Sequence, residues 1–262
     1  MLKVVLSIAG SDSSGGAGIQ ADLKTFSALG VFGATAVTAL TAQNTLGVRS
    51  VVDLDAQFVA GQIQAVMEDL PVAAAKSGML SRTEIIEVVA AAVREYSIPN
   101  LVVDPVMVAA SGALLLGPGA VAALREHMFP LAALVTPNLR ETEILLGREE
   151  ISDSEAMRRA ARELVHIGAR AALVTGGALK GDALDVFFDG HEIREFSTPR
   201  CGARAHGAGC TLSAAIAARL ALGDALAGAI GAAKNFVTRA IAQSPPLGHG
   251  ARPLNHLASD QS

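Results

Sequence analysis

The sequence predicts an α/β fold: a mostly parallel sheet covered by helices. Short apolar, β-branched runs recur between longer Ala-rich amphipathic segments, which is the signature of βαβ crossovers. Several of those runs are continuously apolar rather than alternating, as expected of strands buried on both faces. The 262 residues are 51% hydrophobic and 18% charged, enough to bury a large core, and no Pro/Ser linker or composition break divides them. One domain spanning residues 1–262 is expected.

In chain order, Lys3–Ala9 is the first expected strand. Its apolar run is only six residues long, too short for the core of a secretory signal. The Gly- and Ser-rich stretch Gly10–Gly18 then leads into a helix over Ile19–Leu29. Strand Thr35–Leu40 runs out at Gln43-Asn44 and is followed by helix Ala56–Leu70. Strand Ala73–Lys76 exits through Ser77-Gly78-Met79 to helix Arg82–Glu95. Leu101–Val103 ends at Asp104-Pro105, ahead of helix Gly119–His127. Ala133–Val135 exits through Thr136–Glu141 into helix Leu139–Leu146, where Asn138 and Glu141 have capping-box spacing. Helix Ser154–Ile167 precedes strand Ala171–Val174, which exits at Thr175–Gly177. Ala183–Phe188 and Ile193–Phe196 flank Asp189-Gly190, a strong turn signal, and so predict a hairpin. Helices Gly209–Leu220 and Asp224–Gln243 close the chain.

Composition excludes several functions. A net charge of −4 with no basic run removes the footprint of a nucleic-acid partner. The longest apolar stretches, Leu212–Ala218 and Leu220–Ala233, are broken by Arg219 and Asp224, so no membrane span is expected. Two cysteines, Cys201 and Cys210, are too few for a disulfide framework or a structural zinc site, which points to a reducing, cytoplasmic setting. With aromatic content at 3%, stacking platforms for bases are not expected either.

Ligands of such sheets lie beyond the carboxyl ends of the strands. Gly10–Gly18 lets backbone approach a ligand and offers the free N–H groups of a helix start, yet it is neither G-x-G-x-x-G nor a Walker A loop. Gly207-Ala208-Gly209-Cys210-Thr211 is a tight turn opening an Ala-rich helix, and its amides and helix dipole suit a phosphoryl group. A thiol at that helix start is expected to have a lowered pKa, which makes Cys210 a candidate proton acceptor. Asp104 and Glu141 could share a magnesium ion, and Lys234 could reach a phosphate.

Taken together these segments resemble the hydroxymethylpyrimidine and phosphomethylpyrimidine kinases of thiamine synthesis, a branch of the ribokinase-like superfamily. The similarity is carried by Ile8–Phe26, Thr38–Val48, Lys76–Leu80, Val103–Met107, Thr136–Glu141 and His206–Ala215, and it extends from about Leu2 to about His256. The resemblance implies helices on both faces of the sheet, and an ATP- and Mg²⁺-dependent kinase that phosphorylates 4-amino-5-hydroxymethyl-2-methylpyrimidine and then its monophosphate. It implies a pyrimidine pocket lined by Gly10, Ala17, Asp22, Gln43, Met79 and Val106. It implies Asn138, Thr175, Gly177 and Lys234 on the nucleotide side, Asp104 and Glu141 at the metal, and Gly207, Ala208, Gly209 and Cys210 as the catalytic anion hole. A homodimer is implied as well. The chain departs from the family pattern at Thr175 and Ala110, where Lys is usual, at Ala205 and Ala208, where Thr is usual, and in a shorter Arg200–Arg204 loop. The alternatives are a pyridoxal or pyridoxine kinase and a non-catalytic pyrimidine-binding protein.

Overall fold

The computed structural model describes residues 2–108, 115–117, 119–148, 150–201 and 205–258. Ala110 and most of the Arg200–Arg204 loop lie outside those residues. The main sheet has nine strands in the order β3-β2-β1-β4-β5-β6-β7-β8-β9. Its members are β1 (Val4–Asp12), β2 (Phe32–Asn44), β3 (Gly47–Asp53), β4 (Val72–Ser77), β5 (Leu101–Val103), β6 (Leu134–Val135), β7 (Ala172–Thr175), β8 (Ala183–Phe188) and β9 (Ile193–Thr198). The pairs from β2 through β1, β4, β5 and β6 to β7 are parallel, whereas β3, β8 and β9 join antiparallel at the two margins. The Asp189-Gly190 hairpin is present between β8 and β9.

Alternate strand residues feed opposite faces. Val4, Leu6 and Ile8 pack with α2 (Ala56–Met67), α3 (Thr83–Glu95) and α6 (Ser154–His166). Val5, Ala74, Val102 and Leu173 pack with α1 (Gly18–Ala28), α7 (Ala208–Ala221) and α8 (Leu226–Ala242). Each large side chain buried this way contributes about 1.5–3 kcal/mol. The small Ala residues of α7 let it lie close to the sheet, and Thr211–Ala218 is buried without a break. The helix whose N-terminus enters the site is therefore fixed on all sides.

Several boundaries differ from expectation. β2 runs on to Asn44 because its far half pairs with β3, an edge strand whose exposed, mixed residues carry no core pattern. The Asn44 carboxamide turns the chain there by accepting the Leu46 amide at 2.9 Å. The helix expected over Gly119–His127 is one turn, α4 (Ala120–Ala123), continued as a π turn over Leu124–Met128. α8 starts after Asp224, whose carboxylate instead takes Arg219 Nε at 2.7 Å. α5 (Leu139–Leu146) matches expectation and carries the capping box. A short parallel pair, β10 (Ala205–His206) with β11 (Arg252–Pro253), ties the C-terminal segment to the approach of α7. Among the described residues no helix is long and apolar enough to cross a membrane.

Candidate active site

The chain order reverses between β1 and β4, which places a topological switch point at the loops following these strands. A cavity of about 260 Å³ opens there, lined by the exits of β1, β2, β4, β5 and β6 and by the start of α7. It brings together Gly10, Ala17, Gln43, Met79, Val106, Asp104, Asn138, Glu141, Thr175 and Gly207–Cys210 of the expected set. Thr38 donates its hydroxyl proton to Met79 O at 2.7 Å, fixing the turn that carries that side chain.

Asp12, which sequence reasoning passed over, organises the first glycine-rich loop. Its carboxylate accepts the amides of Ser14 and Ala17 at 2.8 Å and of Gly16 at 3.2 Å, and His206 Nε2 at 2.9 Å. Burial acts to raise its pKa, but these donors outweigh burial and hold it below the usual carboxylate value. Asp12 thus takes the loop amides of Ser14, Gly16 and Ala17, while the start of α1 at Gly18 has no side-chain cap among the described residues. The loop also interlocks with the second turn, since a Cβ on Gly16 would strike the His206 ring and one on Gly207 would strike the Gly16 carbonyl.

Asp22 does not line the cavity, contrary to expectation. It is fully buried beneath it, accepting the Ser7 hydroxyl at 2.6 Å and Lys76 Nζ at 3.0 Å. Lys76 reaches the cavity wall and lies 3.9 Å from Asp104. Burial alone would lower the Lys76 pKa, but the negative charges around it, Asp22 foremost, hold it above the ordinary lysine value. Asp104 also accepts the Ser213 hydroxyl of α7 at 2.9 Å. A Lys closing the apolar run Val72–Lys76 was the available signal for this buried cation.

α7 begins at Gly207, in the left-handed region at φ 88, with no side-chain cap among the described residues. Its first-turn amides therefore have no intrahelical partner. The Cys210 thiol is pushed up to about 12, chiefly by burial, with Asp104 and Asp22 adding to it and Lys76 opposing. This corrects the expected lowering, because desolvation and two neighbouring carboxylates exceed the pull of the helix start.

Glu141 receives the Asn138 amide at 2.9 Å while Asn138 Oδ1 accepts the Glu141 amide at 3.0 Å. Its carboxyl is raised to about 8 by burial and then by the charge of Asp104. Asp104 has Lys76 beside it, whereas the nearly buried Glu141 has no cationic partner among the described residues, and neither has the Thr136 hydroxyl on the same cavity wall a hydrogen-bond partner among them. Those donors fit a divalent cation of the magnesium type, which needs one or two carboxylates and takes its other ligands from water and phosphate.

Thr175, Gly177 and Lys234 border a second cavity of about 380 Å³, which shares Thr175, Ala205, Ala208 and Gly209 with the first. Lys234 Nζ is bound to Asp185 Oδ2 at 2.6 Å, so its charge is already matched by a carboxylate. Arg200, not anticipated from sequence, brings a guanidinium to the same cavity and donates to the carbonyls of Gly177, Leu179 and Gly181.

The phosphomethylpyrimidine kinase family matches residues 12–255. The hydroxymethylpyrimidine/phosphomethylpyrimidine kinase of Rhizobium meliloti is 52% identical over 98% of each chain. The thiamine biosynthesis bifunctional protein ThiED of Geobacter sulfurreducens is 52% identical over 97% of this chain, which spans 52% of that longer protein. Among solved structures, an ADP complex of Bacillus subtilis pyridoxal kinase is 40% identical, with a TM-score of 0.92 and 98% of each chain covered.

Proposed function

The chain belongs to the phosphomethylpyrimidine kinase family, and from that premise we propose that it transfers the γ-phosphoryl group of ATP to the hydroxymethyl oxygen of 4-amino-5-hydroxymethyl-2-methylpyrimidine, and then a second one to the monophosphate. The observation that carries the reading is one cavity in which the uncapped start of α7 faces both a small polar–apolar pocket and a pair of buried carboxyl groups. Gly10, Ala17, Gln43, Met79 and Val106 hold the ring. Lys76 and Asp22 lie under it, and Lys76 keeps Asp104 in place. Asp104 and Glu141 would hold Mg²⁺, which when bound neutralises phosphate charge. Asn138, Thr175, Gly177, Arg200 and Lys234 border the space for the nucleotide.

In each transfer an O–P bond forms at γ-phosphorus as the β–γ bridging O–P bond breaks, and in the first the hydroxymethyl proton passes to an oxygen of the transferred phosphoryl group. The amides of Ala208, Gly209 and Cys210 meet the charge on the moving phosphoryl oxygens. Cys210 takes part as a neutral S–H donor. As a donor to the moving phosphoryl oxygens rather than a base, it is expected on loss to slow both transfers alike. The whole chain is proposed to act as one kinase domain in the cytoplasm. A homodimer would cover the exposed Val52 and Phe58 beside the edge strand β3.

A second reading, pyridoxal or pyridoxine kinase, is favoured by the B. subtilis pyridoxal kinase likeness. The test is incubation with MgATP and, separately, the hydroxymethylpyrimidine, its monophosphate, pyridoxal and pyridoxine, following ADP and products by mass. Diphosphate from the pyrimidine at the highest kcat/KM is expected. Preference for pyridoxal would move the function to the second reading, and no ADP from any of them would leave a binding protein.

A further inference from the structure

Around His206 the donors and acceptors conflict. Its Nε2 lies 2.9 Å from Asp12 Oδ2 and 3.2 Å from Gln43 Nε2. Gln43 Oε1 lies 3.2 Å from Thr41 Oγ1, whose hydroxyl also faces Ser11 O at 2.9 Å. Asp12 gathers the amide protons of Ser14, Gly16 and Ala17, the behaviour of an ionised carboxylate, which can only accept. His206 Nε2 must therefore carry the proton between them. A protonated ring nitrogen has no lone pair, so the Gln43 NH₂ cannot donate to it. Nor can Thr41 give its single proton both to the Ser11 carbonyl and to Gln43.

Both conflicts disappear if the Gln43 amide is turned end for end, an assignment that rests only on its partners. Its oxygen then shares the His206 N–H with Asp12, one amide N–H goes to Thr41 Oγ1, and the group left without a partner among the described residues is the second N–H. Gln43 lines the cavity, so this is what it offers a ligand.

We infer that Asp12 and His206 are positioning residues that fix Gln43 as a hydrogen-bond donor in the cavity, which thereby selects a heteroaromatic ring presenting a nitrogen lone pair at that edge. The ring's identity as a pyrimidine rests on the proposed function. The arrangement of Asp12, His206 and Gln43 does not. A ring whose facing nitrogen is protonated would set donor against donor and leave a polar group unpaired on each side.

Two measurements test it. In protein labelled with ¹⁵N-histidine, two-bond ¹H–¹⁵N spectra are expected to show His206, identified by its loss in His206→Gln, with Nε2 protonated in the free chain. An unprotonated Nε2 would overturn the inference whatever the substrate is. Calorimetry on Gln43→Glu, which keeps the shape but replaces the donor by an acceptor, is expected to show pyrimidine binding weakened at least about tenfold, with MgATP binding unchanged. Binding as tight as in the parent chain would mean that the oxygen faces the ring and would overturn it. If the parent chain neither binds nor phosphorylates the pyrimidine, the functional reading fails, while the histidine spectrum still decides the arrangement.

Discussion

The two glycine-rich turns of this chain look alike in sequence and do opposite things. Gly15–Gly18 opens α1, and the amides around it are satisfied from within by the Asp12 carboxylate. Gly207–Cys210 opens α7, has no such carboxylate among the described residues, and faces the cavity proposed to receive the phosphates. The loop before α1 is filled by a charge of the chain's own, and the start of α7 is the proposed anion site. The presence or absence of an acidic side chain within hydrogen-bond reach decides which, because a helix start is equally electropositive in both.

The largest effect is expected where the two turns interlock. Gly207→Ala forces a side chain onto φ 88 and into the Gly16 carbonyl. It should reduce kcat for both transfers by about 10²–10³, as loss of an anion-hole donor does. A kinetically silent variant would mean that the turns do not cooperate.

Asp12→Asn tests the first loop. The loop amides lose their charged acceptor, which predicts a KM for the pyrimidine raised about tenfold, with a smaller change for ATP. The reverse pattern would show that the first loop meets phosphate.

Cys210→Ser retains an O–H donor at the open turn and is expected to keep activity within about tenfold, with Cys210→Ala lower and both transfers affected equally in single turnover. Ser as poor as Ala, with the first transfer hit harder, would restore a thiolate base.

The smallest effect concerns what anchors the open turn. His256 Nε2 lies 3.0 Å from the Thr211 hydroxyl in the first turns of α7. Burial, with a contribution from the Lys24 charge, lowers its pKa from 6.5 to about 4. The unfolded chain then binds the extra proton between those values, so stability is complete above about 6.5 and declines as pH falls toward about 4. Melting curves from about pH 7.5 to about pH 4.5 should show this decline, shallower in His256→Gln.

The parallel strands and the helices crossing between them were legible because strands buried on both faces leave continuous apolar runs, as in Leu101–Val103, whereas the order of the strands in the sheet was not. β3 was not, since an edge strand with exposed Val51 and Val52 has neither a buried face nor a steady alternation to announce it. At the site, the Gly turn and Asp104, Asn138 and Glu141 were readable from their positions at strand exits. Asp22 was misplaced because sequence cannot show that a helical carboxylate points under the pocket to a lysine from another strand. The Cys210 thiol was misjudged for a related reason. The helix start is local and visible, whereas the burial and the carboxylates that outweigh it come from distant parts of the chain.

The contrast between the two turns is tested most directly by titrating ¹⁵N-labelled protein with Mg²⁺ and a non-hydrolysable ATP analogue while following backbone amides. Large shifts at Ala208, Gly209 and Cys210, with Ser14, Gly16 and Ala17 nearly unmoved, are the expected result. Shifts concentrated at Ser14, Gly16 and Ala17 would contradict it, because the phosphate would then be displacing Asp12 from its own amides.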